Sequence, residues 1–256
     1  MVRTVFLDEG ALDGRHRYPS VCAVVVDDVA AVNSAIEDAI HKLALKPDFR
    51  LEKSFDGFRK RGFHHVDDPV VAQQSFLQLL PSFDIEWWCA SNLNPDSDPY
   101  DTLPDQFEWL LEGILRKSKD KNIRFVFEQN SRLNGLYPMI VEKSTARAKY
   151  DPKLVSFGIG TKSDRALSIA DYCISIGTSA LTAWMEFCCD TYKLTEKHEY
   201  RSYVVMEPSC SVFFAWDFQR SLSSRSSGRL HERTYFDFAG VHHETCRNFI
   251  DVHVTS

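Results

Sequence analysis

MVRTVFLDEG (residues 1–10) and PSVCAVVV (residues 19–26) decide how the rest of the chain is read. The first run sets Val2, Thr4 and Phe6 against Arg3, Val5 and Leu7, then breaks on Asp8-Glu9-Gly10. That pattern is a strand entering a turn. The second run is apolar and β-branched, a second strand. The gap between the two is too short for a crossover, so they form an antiparallel hairpin.

The segments beyond the hairpin alternate between strand and helix. Asp27-Asp28 starts a helix carrying Val29, Val32, Ile36, Ile40 and Leu43 at helical spacing. Residues 47–66 are mixed, basic and aromatic, and end in Phe63-His64-His65. Asp67-Asp68-Pro69 predicts a helix opening, with the helix running to about Leu80. Phe83, Ile85, Trp87 and Cys89 alternate as a third strand, followed by a turn-rich loop over 92–99. Thr102 with Asp105 predicts the cap of a helix whose stripe is Phe107, Leu110, Leu111 and Ile114.

Ile123, Phe125 and Phe127 make a fourth strand that ends at Glu128-Gln129-Asn130, and a polar helix is expected over 132–149. Leu154 to Ile159 is a fifth strand, which Gly160-Thr161-Lys162-Ser163-Asp164 turns into a long helix reaching about Phe187. Alternation of this kind predicts a layered α/β domain, and the hairpin makes its sheet mixed. Residues 1–187 are read as that domain. Residues 188–256, with one or two aromatic strands over 200–218 and a Ser/Arg loop at 221–228, are read as a C-terminal extension packed on it.

Bulk composition narrows the classes. The 256 residues are 44% hydrophobic with a net charge of −6, which argues against a surface that grips nucleic acid everywhere but leaves local binding open. Local basic runs stand at Arg59-Lys60-Arg61, at Arg116 to Lys121 and at Arg220 to Arg233. No apolar window is long enough to span a membrane, and the N-terminus lacks the form of a signal peptide, so the expected location is cytoplasmic. The seven cysteines form no CxxC pair and read as reduced thiols. Both glycines of a P-loop are missing at Ser156 and Thr161, and neither GxGxxG nor GxSxG occurs.

Ligands of α/β sheets gather at the carboxyl ends of strands. Asp8 and Glu9 stand at the end of the first strand and Glu128 at the end of the fourth. Asp171 lies inside an apolar helical stretch, Leu167 to Cys173, where an acid is costly to bury without compensation. Asp164 is seven residues earlier, about 10 Å along a helix axis and on the same face. Converging carboxylates repel unless a hard cation such as Mg²⁺ neutralises them. Paired ions of that kind activate water for phosphodiester cleavage. Asp164 also reads as a helix N-cap, and Glu128 as a cap for the helix after it. His64 has the pKa range of a proton shuttle or phosphate ligand, with His65 the weaker candidate.

FLDEG at 6–10, FHHVDDP at 63–69, FVFEQN at 125–130 and TKSDRALSIADY at 161–172 together resemble the domain-of-unknown-function 3800 family. The resemblance covers residues 2–187. It implies an RNase H-like mixed sheet flanked by helices and a divalent-metal-dependent nuclease, a hydrolase of RNA or DNA using Mg²⁺ or Mn²⁺. Carried over residue by residue, Asp8, His64, Glu128, Ser163 and Asp171 take the functional positions. Asp8, Glu128 and Asp171 then act as catalytic metal ligands with Glu9 or Asp164 as a fourth, His64 as a catalytic partner, and Ser163 as a cofactor-binding residue. Two positions depart from the family pattern, Gly10 in place of Ser and Ser168 in place of Gln. The other reading those departures allow is a degenerate RNase H-like module that binds nucleic acid or a protein partner without cutting.

Overall fold

The computed structural model describes residues 2–10, 18–51, 55–92, 98–161, 164–187, 193 and 196–216. Six strands form one sheet: β1 (Val2–Gly10), β2 (Ser20–Val26), β3 (Ile85–Asn92), β4 (Asn122–Glu128), β5 (Val155–Gly160) and β6 (Cys210–Trp216). Their order is β5-β4-β1-β2-β3-β6. β1 and β2 pair antiparallel, as do β2 and β3, whereas β1–β4, β4–β5 and β3–β6 are parallel. β2 alone therefore runs against the rest, and the other five strands bring their carboxyl ends to one edge. All seven residues of β2 are buried, which is why its sequence is a continuous apolar run and not an alternation.

The helices are α1 (Val29–Ala44), α2 (Pro47–Arg50), α3 (Phe55–Arg61), α4 (Val70–Leu79), α5 (Pro99–Lys117), α6 (Tyr137–Ala148), α7 (Leu167–Phe187) and α8 (His198–Met206). They divide into two layers. Phe107, Leu111, Tyr137 and Ile140 of α5 and α6 pack on Val5, Leu7, Phe125 and Phe127. On the opposite face Ile36, Phe76, Tyr172, Cys173 and Tyr203, from α1, α4, α7 and α8, pack on Phe6, Val24 and Val126. This α/β architecture with a mixed sheet agrees with the expectation from the hairpin and the alternating elements.

Several local expectations are corrected. α5 is capped by Asp98, whose Oδ1 accepts from the Tyr100 amide at 2.9 Å, so Thr102 and Asp105 lie inside the helix. α4 begins at Val70 without a side-chain cap, because Asp68 turns its carboxylate back to the His64 amide at 2.8 Å. The polar helix begins only at Tyr137, after turns at Asn130 and Leu133. Residues 200–206 are helical, and the aromatic strand is β6 alone, which joins the same sheet beside β3. Residues 217–256, including the Ser/Arg loop and the rest of the expected extension, lie outside the described residues.

α7 is the long element that carries Asp171, and its approach to the sheet depends on Gly177. A Cβ there would stand 2.8 Å from Phe213 Cε2, 3.4 Å from Cys89 Sγ and 3.5 Å from the Trp87 ring. All three neighbours are buried core side chains, so a larger residue must push the helix off the sheet. An exposed helical glycine normally gains stability on substitution. Here Gly177→Val is expected to lose about 2 kcal/mol, read as a lower urea midpoint. A midpoint at or above that of the wild type would contradict the close approach.

Candidate active site

β1 and β4 lie side by side with Leu7 opposite Phe127. One step further along each strand, Asp8 comes beside Glu128. Side chains alternate across a sheet, and Phe6 and Val126 face the α7 layer. Asp8 and Glu128 therefore face α7 as well, and α7 supplies Asp171 from its second turn. Three of the carboxylates expected from sequence thus meet on one face, each from a different element.

Asp8 is 4% exposed and Asp171 9%. Asp8 Oδ1 accepts from the Glu9 amide at 2.8 Å. Burial holds the Asp8 carboxyl well above the ordinary carboxylate range. The charge of Glu128 and a hydrogen bond shared with it add to this, followed by the charges of Asp171 and Glu9. Like charges brought together out of water cannot all ionise. The Asp8 carboxyl is accordingly held toward its protonated form, hydrogen-bonded to Glu128. Asp171 is compensated differently, because its Oδ2 accepts from the His65 amide at 2.6 Å.

Glu9 follows Asp8 and by the same alternation faces the α5–α6 layer. Its Oε1 accepts from Asn130 Nδ2 at 2.7 Å, while Oε2 is buried with no hydrogen-bond partner among the described residues. Burial pushes the Glu9 carboxyl up to about 7, against the lowering effect of Asn130. Tyr137 donates its hydroxyl to the Glu128 carbonyl at 3.2 Å, tying α6 to the end of β4. Its phenol is raised by burial and then by Glu9, Asp8 and Glu128. Glu9 thus approaches the cluster from the other side of the sheet.

The loop before α4 forms the rim. His64 Nδ1 lies 3.3 Å from Asp67 Oδ2, with the amide bound to Asp68. The His65 ring packs edge-on against Tyr172 with centroids 5.0 Å apart. Asp164 corrects the helical-spacing expectation. α7 begins at Leu167, and Asp164 Oδ2 accepts from the Thr161 amide at 2.7 Å in the turn before it. Asp164 is therefore a turn residue and does not sit two helical turns below Asp171. Ser163 lies outside the described residues. His65, Asp68, Asn130 and Tyr137 all touch the cluster or its supports. The sequence marked His65 as the weaker histidine, Asp68 as part of a helix opening and Asn130 as part of the polar stretch after β4, whereas Tyr137 gave no signal.

The donor set is the hard-oxygen chemistry that Mg²⁺ or Mn²⁺ takes. Its placement is a separate matter. Among the described residues no group of three or more His, Cys, Asp or Glu side chains stands ready arranged around one ion. The contacts explain this: Asp8 bonds Glu128, Asp171 bonds the loop, and Glu9 bonds Asn130, so the oxygens are turned toward hydrogen-bond partners. The acids fit a hard cation by type, and its positive charge would offset the repulsion that raises Asp8. Away from the site, Cys22, Cys89 and Cys173 are buried free thiols, with Cys22 raised chiefly by burial. No helix among the described residues is long and apolar enough to cross a membrane. No protein-family model and no curated protein matches the chain.

The raised carboxyls set a pH dependence. Between about pH 4.5 and 7 the folded protein keeps a proton on Glu9 that the unfolded chain has released. Stability therefore falls as pH rises through that window, and Asp8, raised in the same direction, adds to the fall. In metal-free buffer the urea midpoint is expected to be lower at pH 8 than at pH 5, with Glu9 contributing on the order of 1–3 kcal/mol. Glu9→Gln should flatten the dependence. A midpoint that rises from pH 5 to pH 8 would contradict these buried acids.

Proposed function

We propose that this protein is an RNase H-like, divalent-metal-dependent nuclease that hydrolyses phosphodiester bonds of RNA or DNA. The observation that carries the reading is the meeting of Asp8, Glu128 and Asp171, from three elements, on one face at the carboxyl edge of the sheet. Such a cluster is stabilised by added positive charge, and a phosphodiester is a substrate whose chemistry uses that charge. The strand arrangement supports the fold half of the reading. An antiparallel β1–β2–β3 meander with β4 and β5 added parallel beside β1 is a mixed sheet, as the reading calls for. The resemblance of residues 2–187 to the domain-of-unknown-function 3800 family points the same way.

Asp8, Glu128 and Asp171 are the residues that would hold Mg²⁺ or Mn²⁺, with Glu9 behind them. The ion, when bound, activates water and steadies the leaving oxygen. Its charge would favour the ionised form of Asp8. Asn130 and Tyr137 hold Glu9 and the Glu128 backbone in place. His64, on the adjoining loop, is assigned proton transfer or placement of the phosphate, and Ser163 contact with the bound cofactor. The second reading, a non-cleaving module for nucleic acid or a protein partner, is favoured by the hydrogen-bonded acids, which are not ready arranged around an ion.

End-labelled single-stranded RNA, single-stranded DNA and an RNA–DNA hybrid, incubated with Mg²⁺ or Mn²⁺, separate the two. Cleavage by the wild type, reduced about 100-fold or more in Asp8→Asn and Asp171→Asn, is the expected result. Folded variants are verified by circular dichroism. Binding without cleavage in either metal supports the second reading, and neither binding nor cleavage overturns both.

A further inference from the structure

Asp171 and Tyr172 are adjacent on α7, and both engage the loop that precedes α4. Tyr172 donates its hydroxyl to Asp68 Oδ2 at 2.7 Å, and the same oxygen accepts from the His64 amide at 2.8 Å. Arg61 Nη2 donates to Asp68 Oδ1 at 3.1 Å. The Asp68 side chain is fully buried. One residue further along the loop, the His65 amide donates to Asp171 Oδ2 at 2.6 Å. The helix therefore holds the loop through Tyr172, and the loop holds Asp171 in return.

We propose that Tyr172, acting through Asp68, is a positioning residue for the carboxylate cluster, and that residues 62–68 are the arm through which it acts. The inference rests on Asp171 belonging to the active site. The arm is fixed at both ends. At its start Gly62 has φ of +87°, and a Cβ there would collide with the Arg165 guanidinium. Arg165 in turn donates to the Arg61 carbonyl at 2.6 Å and pairs with Glu37. At its end Gln73 Nε2 donates to the His65 carbonyl at 2.6 Å. The middle is packed, with Phe63 against Phe76 at 4.4 Å and edge-on to Tyr172 at 6.4 Å. An arm secured at so many points sets the position of the His65 amide independently of Asp171. That amide holds one oxygen of Asp171, the acid whose charge reaches Asp8. Buried carboxylates seldom keep a single orientation without such a donor.

The His65 amide itself is the reporter. Hydrogen exchange followed by NMR on the full chain, without metal, compares wild type with Tyr172→Phe, Asp68→Asn and Asp171→Asn. Tyr172→Phe removes one hydroxyl and little volume, and is expected to speed exchange at His65 about three- to tenfold. Asp68→Asn should do the same. Asp171→Asn identifies the acceptor. Amides of β1 and β4 should keep their wild-type rates in all three. Unchanged exchange at His65 in Tyr172→Phe overturns the proposal, and so does a uniform acceleration, which would mark a merely structural role. In a Mn²⁺ titration, Tyr172→Phe is expected to weaken binding about tenfold, and an unchanged affinity also overturns it. A wild type that takes up no Mn²⁺ refutes the metal-dependent reading of the site, and the exchange rates then decide the arm alone.

Discussion

The repulsion among Asp8, Glu128 and Asp171 in one buried corner is the constraint around which this part of the molecule is organised. Strand register makes it unavoidable: once Leu7 pairs with Phe127, the next residues on β1 and β4 put two acids beside each other. Folding then buries Asp8 and half-buries Glu128 under α7. Stable domains remove such costs by replacing the acids or by compensating them. Here compensation is visible at every acid. Asp8 is hydrogen-bonded to Glu128, Asp171 takes the His65 amide, and Glu9 takes the Asn130 side-chain amide.

The scaffold beneath the corner is assembled from ordinary parts. β2 is buried along its whole length, and β1 and β4 flank the corner with Phe6 and Val126 on one side and Val5, Leu7, Phe125 and Phe127 on the other. Aromatic rings fill the layer below the α6 end, where Phe127 and Tyr137 stack at 4.1 Å. α7 reaches the sheet because Gly177 leaves room for Phe213. Acids held on packed strands and a packed helix keep their mutual placement better than acids on loops would. The corner thus combines a rigid frame with charges that the frame alone does not neutralise, a combination typical of sites that bind or transform something.

Much of this was legible in the sequence, for identifiable reasons. The hairpin, the alternation of strands and helices, and the ends of β1 and β4 follow from local periodicity and from acids that break apolar runs. Asp171 stood out because an acid in a buried helical stretch has no local role. What periodicity could not supply was the boundary of α7. Asp164 accepts from the Thr161 amide and α7 begins only at Leu167, so the helical spacing that joined Asp164 to Asp171 does not exist. Asp68 was hidden for a related reason. An Asp before a proline reads as a helix cap, and only the fold brings Tyr172, 104 residues away, to claim its carboxylate. Backbone donors such as the His65 amide carry no sequence signal at all. β6 next to β3, and the helix over residues 198–206, were set by long-range pairing that an aromatic stretch does not specify.

The most direct test of the central claim is anomalous diffraction from crystals soaked in MnCl₂ above pH 7, where raised carboxyls ionise more readily. The account predicts a Mn²⁺ peak about 2.0–2.6 Å from carboxylate oxygens of Asp8, Glu128 and Asp171 together, absent from Asp8→Asn crystals treated in the same way. Well-diffracting wild-type crystals with no peak at these three residues, or with a peak that persists in Asp8→Asn, would contradict it.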